Sequence, residues 1–285
     1  MDIRRLVKSG AASHTLALPI AWIQKNRLKK GDLLSITEQD NRLVISTSTE
    51  QPAEQKAVTI ELEKKDIGTV RRETIAAYLN NATIVTFTGD ITALLPEIKK
   101  ILDNFLALEI IEQTPRRLVA KDFLNLKEFS PPVVVRRMDM LVRSMLDDVT
   151  QKQAAALELT DYGVDKLYFL ISRLFRATLA QGGSGSLELF SQWWLAKNLE
   201  NIADAAKNLA PHMTKETAEH LASARAYYLD CAAAYFKGDK RAADQLMAAR
   251  ADLISEFDAV ASNGRELLKQ MVNTSRNIAK SVVDN

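Results

Sequence analysis

Two hundred and eighty-five residues exceed the usual single domain, so two or three domains are expected. A hydrophobic share of 47% beside 26% charged residues is that of a globular chain, and ten glycines with seven prolines are too few for an all-β fold of many tight turns. Thirty-eight Lys and Arg against thirty-six Asp and Glu leave a formal charge of +2, which excludes a histone-like basic chain and makes any nucleic-acid surface local. One cysteine, Cys231, excludes an intramolecular disulfide framework and a cysteine-rich zinc site. The opening MDIRRLVKSGAAS lacks the apolar centre of a signal peptide, and no run approaches the ~18 apolar residues of a membrane span. A cytoplasmic chain without membrane insertion is expected.

Residues 1–46 carry eight basic side chains (Arg4, Arg5, Lys8, Lys25, Arg27, Lys29, Lys30, Arg42) against Asp2, Asp32, Glu38 and Asp40, a local net of +4 while the remainder is slightly negative. Charge alone leaves two readings open, a solvated strand-and-turn module or a DNA surface. The segment RRLVKSGAASHTLALPIAWIQKNRLKKGDLLSITEQDNRLVIS resembles the AbrB-type (SpoVT/AbrB, swapped-hairpin) DNA-binding domain, most specifically at Thr15-Leu16-Ala17-Leu18-Pro19 and Leu28-Lys29-Lys30-Gly31-Asp32. In that pattern strand RRLVK, a small-residue turn, strand TLALP, helix IAWIQKN, the turn LKKGD and a hairpin LLSITEQDNRLVIS follow one another. Pro19 suits a helix start and Gly31 a turn. The resemblance implies an obligate homodimer with hairpins of two chains interleaved into one β-barrel. It also implies double-stranded DNA as partner, contacted by Arg4, Arg5 and Lys8, with Ser13 and His14 in the turn and Lys25 on the short helix as further contacts.

STSTEQPAEQKA, residues 46–57, reads as a linker. Beyond it VTIEL, ATIVTF, ALEIIEQ and RRLVAKDF are strand-like, with helical stretches at residues 67–79 and 94–105 between them. The order βαβαββ predicts a small α/β layer. Ser130-Pro131-Pro132 ends it and starts a helix.

Everything later reads as helix. Met138, Leu141, Met145 and Val149 recur at helical spacing, as do Val164, Leu167, Ile171, Leu174 and Thr178. Leu195, Leu199, Ile202, Ala206 and Leu209 form the clearest stripe, ended by Pro211. Further helices are predicted over residues 220–236, 242–257 and 267–283, with breaks at Lys237-Gly238-Asp239 and Asn263-Gly264. About six helices make one bundle or two three-helix bundles. The fold class is multidomain α+β: a dimeric swapped-hairpin barrel (1–48), a small α/β domain (55–128) and an all-α bundle (130–285).

Two helices carry acids four apart, Asp161 with Asp165 and Glu200 with Asp204. Such pairs on an amphipathic helix are commonly just solvated; the functional alternative is that neighbouring helices bring both pairs together, as in carboxylate-bridged metal sites. RRMDMLVRSMLDDV, DYGVDKLYFLISRLF and NLENIADAAKNLA resemble the PhoU family of phosphate-uptake regulators, whose recognisable phrase is similar to LERIGDHAxNIA. The phrase reads here Leu199-Glu200-Asn201-Ile202-Ala203-Asp204-Ala205-Ala206-Lys207-Asn208-Leu209-Ala210, with Asn and Ala in place of Arg and His. The resemblance implies Glu200, Asp204, Asp161 and Asp165 as metal ligands in a single cluster. Hard oxygen donors favour iron, manganese, magnesium or calcium over zinc, whereas the family implies iron or zinc, so the metal is left open.

Gln181-Gly182-Gly183-Ser184-Gly185-Ser186 is not a P-loop, since no strand precedes it and no Lys follows; it reads as a flexible connection with Ser186 capping the next helix. At least one of Trp193 and Trp194 is expected against a neighbouring helix, Met138, Met140 and Met145 in the core, and Cys231 as an inert buried thiol. No nucleophile–base pairing or nucleotide fingerprint is legible, so an enzyme is not expected. The combination of the two resemblances is similar to archaeal phosphate-uptake regulators, and implies a DNA-binding transcriptional regulator of phosphate uptake. The alternative is a regulator that touches a phosphate transporter or its kinase and uses its first domain for dimerisation.

Overall fold

The computed structural model describes residues 3–11, 13–39, 42–47, 56–63, 65–151, 154–180, 186–260 and 262–284, and the chain divides into two units, Met1–Glu54 and Gln55–Asn285. In the first, β1 (Val7–Lys8) pairs antiparallel with β2 (His14–Thr15), Lys8 opposite His14, across a turn at Gly10 with φ +83°. The expected strands RRLVK and TLALP are thus reduced to two residues each; an isolated two-stranded ribbon has no third strand to extend it. His14 stands in β2 rather than in the turn.

Helix α1 (Ile20–Lys25) starts after Pro19, whose carbonyl accepts the Trp22 and Ile23 N–H groups. Asp32 closes the following turn by accepting the Lys29 N–H at 2.7 Å, with Gly31 at φ +99°. Strands β3 (Leu34–Gln39) and β4 (Arg42–Thr47) form a hairpin with Leu34 opposite Thr47. Among the described residues these strands stay two separate two-stranded ribbons, and no described side chain of the unit is buried. Residues 48–55, most of the expected linker, lie outside the described residues.

The second unit begins with the expected βαβαββ layer. Strand β5 (Ala57–Glu61) runs parallel to β6 (Ile84–Thr88), which pairs antiparallel with β8 (Arg117–Asp122), itself antiparallel to β7 (Leu108–Gln113), giving the order β5-β6-β8-β7. The parallel pair needs a crossover, supplied by α2 (Ile67–Leu79); α3 (Ile91–Leu102) joins β6 to β7. The N–H groups of Thr69 and Ala93 are capped by Asp66 and Asp90, which sets the start of α3 at Ile91, three residues before the sequence expectation. Ile60, Val85, Phe87 and Leu118 from the sheet pack with Tyr78 and Ile98 from these helices.

Six further helices follow: α4 (Pro131–Thr150), α5 (Ala154–Ala180), α6 (Ser186–Leu209), α7 (Lys215–Lys237), α8 (Lys240–Glu256) and α9 (Ser262–Asp284). α4, α5 and α6 pack as one group and α7, α8 and α9 as another, and α6 against α9 joins them into one core. Gly238 at φ +66° ends α7 as expected. Gly264 does not break the chain but lies in α9, where an added Cβ would sit 3.3 Å from Val260 Cγ1; it is there for close packing. The break falls instead at Phe257–Ala259, where Phe257 and Val260 are buried.

The layer and the bundle belong to one unit because α5 is anchored in the layer. Arg173 of α5 pairs with Asp122, donates through Nε to Asn81 Oδ1 at 2.7 Å and lies 4.6 Å over the Tyr78 ring. The Phe169 ring lies tilted against Phe105, ring centroids 5.2 Å apart. No helix among the described residues is long and apolar enough to cross a membrane.

Candidate functional site

Anchoring α5 on the layer and packing it along α6 decides where the acids fall. Of the two readings left open for Glu200 and Asp204, the merely solvated face is not what the fold shows, because α6 is the central helix, flanked by α4, α5 and α9. From Leu195 to Asp204 every residue of α6 is buried or half-buried. Asp161 on α5 is buried, and Asp165, Glu200 and Asp204 are half-buried.

The two pairs form one electrostatic group. Burial, then Asp161, Asp204 and Glu200, push the Asp165 carboxyl up to about 6, against the pull of Lys207. Burial and then Asp161 raise Asp204; burial raises Glu200, opposed by Lys197. Lys207 of α6 pairs across to Asp161 of α5. Lys197 donates to Glu200 Oε2 at 2.6 Å and lies 5.1 Å over the Tyr168 ring. Burial by itself would lower both lysines, but their carboxylate partners raise them.

The resemblance to PhoU proteins implies these four acids as the donor set of a metal. Two of its four carboxylates are engaged by ammonium groups, and among the described residues no group of three or more His, Cys, Asp or Glu is arranged to hold a metal ion. At Ala205, where the family phrase has His, the side chain is fully buried in the bundle core.

The raised Asp165 makes a pH prediction. A folded-state value of about 6, above the ordinary 3.8, means the folded chain holds this proton more tightly than the unfolded one. Its contribution is therefore present in full below the ordinary value, and stability falls as pH rises from there through about 6. In chelator-treated protein Asp165→Asn should be more stable than the parent by about 1–2 kcal/mol above pH 6, a figure reduced for solvent access, with the gap closing towards pH 4. Denaturant melts of both proteins across that range check it; a gap constant with pH would refute it.

Asp161 and Asp165 of this group open towards the α/β layer in a cleft of about 480 Å³. Arg71 of α2 and Lys100 of α3 line the layer's wall; Glu158, Asp161 and Asp165 line the wall of α5. Sequence reasoning missed Arg71 and Lys100, since only the packing of the layer on α5 places them opposite the acids. It missed Lys197 and Lys207 as well, although each stands three residues from an acid on the same helix face, a spacing that could have found them.

In the first unit Arg4, Arg5, Lys8, Ser13, His14 and Lys25 are all exposed. The β1–β2 register sets Lys8 and His14 side by side, and Ser13 Oγ donates back to the Ser9 carbonyl.

Of the remaining expectations, Trp193 donates to Ser172 Oγ at 3.0 Å and stacks on Phe175, whereas Trp194 is exposed beside Leu187 and Phe190 in a groove of about 410 Å³. Met138 and Met145 are core residues, but Met140 points outward at 68% exposure because it lies on the other side of α4. Cys231 is buried, and burial pushes its thiol up to about 12, which makes it unreactive. The glycine-rich connection at residues 181–185 and the Ser186 side chain lie outside the described residues.

The family model described as the PhoU domain matches residues 133–213, a span that covers nearly all of α4, all of α5 and α6, and the four acids. Neither a curated protein nor a solved structure matches the chain.

Proposed function

From a chain that carries a PhoU domain at residues 133–213, which is consistent with a role in regulating phosphate uptake, we propose a DNA-binding transcriptional regulator of phosphate uptake that acts as a homodimer in the cytoplasm. One observation carries this reading. The first unit buries no described side chain, leaving Leu6, Leu33, Ile36 and Leu43 exposed in the same unit as Arg4, Arg5, Lys8 and Lys25. A module of this size without a core is completed by a second copy, whose ribbons cover the apolar side chains and pair the open strand edges. The dimer doubles the basic set Arg4, Arg5, Lys8 and Lys25 about a two-fold axis, which suits a duplex with two half-sites. Ser13 and His14 border that set. The bundle is the regulatory part, and no catalytic step belongs to this function.

Phosphate contacts release counterions, so affinity for duplex DNA should fall steeply with salt. Replacing Arg4, Arg5 and Lys8 with Ala should reduce the log–log salt slope by about 3 per chain, near one unit per lost contact. A chain starting at Lys56 should be monomeric by light scattering and lose DNA retention; equal retention by that chain refutes the proposal.

A second reading is favoured by the exposed groove at Leu187, Phe190 and Trp194. There the chain docks on a phosphate transporter component or its kinase, and the first unit only dimerises. Pull-down of the transporter by the parent but not by Phe190→Glu, in protein that does not shift DNA, would select it.

A further inference from the structure

The acids of α5 and α6 differ from an open metal site in what lies beside them. Lys197, Glu200, Asp204 and Lys207 follow at spacings of three, four and three, which at about 100° per residue puts all four within a sector of about 80° on α6. The acid pair is bracketed by a lysine one turn before it and another one turn after it. One lysine bonds along its own helix to Glu200; the other crosses to Asp161, forty-six residues away in sequence. Asp161 is 7% exposed, so its charge has little water to stabilise it and depends on that partner.

We propose that Lys197 and Lys207 are the resident cations of this carboxylate group, ammonium groups that the chain supplies in the place a divalent metal would take, so that the α5–α6 contact forms without metal. The two ammonium groups halve the charge of four carboxylates and tie the two helices together. A metal ion entering the group would have to displace Lys207 from Asp161, since an ammonium and a divalent cation repel one another on the same oxygen. The inference stands apart from DNA binding, because its residues and its readouts lie wholly in the second unit.

The test uses the full chain purified without chelator. Elemental analysis should find substoichiometric iron, manganese and zinc, and the thermal midpoint should be the same with EDTA as with manganese, magnesium or calcium chloride. The variant Lys197→Met/Lys207→Met should melt lower by about 3 °C or more, and manganese should restore the midpoint by binding the freed carboxylates. Lys197→Arg/Lys207→Arg keeps the charges and should stay indifferent to metal, as should the distant control Lys240→Met. Should the double Met variant fail to fold, Lys207→Gln alone gives the same readout, since that lysine is 43% exposed and tolerates exchange. Stoichiometric metal in the parent, a midpoint lowered by EDTA, or a destabilised variant that no divalent cation rescues would each overturn the proposal.

Discussion

Replacing Arg173 with Leu should destabilise the second unit by about 3–5 kcal/mol, the usual cost of removing one partner from a buried ion pair. The side chains of Arg173 and Asp122 are 3% and 4% exposed, so the exchange leaves a carboxylate in the core without its cation. It also strands Asn81 Oδ1 and removes the cation from the Tyr78 ring. Arg173→Lys keeps the charge but cannot serve Asp122 and Asn81 together, and should fall between parent and Leu variant. Asp122→Leu/Arg173→Met removes both charges and should recover most of the loss. Denaturant unfolding of the four proteins decides it: a Leu variant within 1 kcal/mol of the parent, on the scale expected for an exposed pair, would show that the pair does not hold the layer to α5.

The fold was legible where a single period dominates. Alternating β-branched runs and helical stripes located the strands of the layer and the six long helices, because burial on one face writes itself into the residue pattern. Glycine was read less well. Gly238 and Gly264 look alike in sequence, yet one takes a left-handed backbone and ends a helix while the other makes room for Val260 inside one. Nothing local separates those uses.

The acids show a second kind of limit. Leu195, Leu199, Ile202, Ala206 and Leu209 do mark a buried stripe, but Asn198, Ala203 and Ala205 are buried as well, so α6 is enclosed on more than that face. Alanine and asparagine carry too little hydropathy to signal enclosure, and the helix reads as half-solvated when it is central. Whether Glu200 and Asp204 meet water or meet Asp161 and Asp165 depends on that enclosure. Arg71 and Lys100 depend on a further step, the packing of the layer on α5, which no pattern within either segment records.

The second large effect is expected where the two three-helix groups meet outside the α6–α9 contact. Tyr228 of α7 is fully buried and donates to Asp139 Oδ1 of α4 at 2.5 Å, while Arg143 Nε donates to Asp139 Oδ2 at 3.0 Å. Burial and the neighbouring Asp139 charge keep the Tyr228 hydroxyl protonated far beyond its ordinary range, so it stays a donor at any working pH. Tyr228→Phe should cost about 2–3 kcal/mol, since a hydrogen bond to a buried carboxylate is lost and the carboxylate remains. Asp139→Leu should cost a similar amount by leaving the hydroxyl without an acceptor, although Arg143, with 38% of its side chain exposed, can turn to water. Removing both ends leaves no orphaned group between α4 and α7, so Asp139→Leu/Tyr228→Phe should lie well above the sum of the two losses, with a coupling of about 1.5–3 kcal/mol. Measured by denaturant unfolding, strict additivity would mean that the two side chains stabilise the bundle independently, and that the bond between them does not join the PhoU-matched helices to α7.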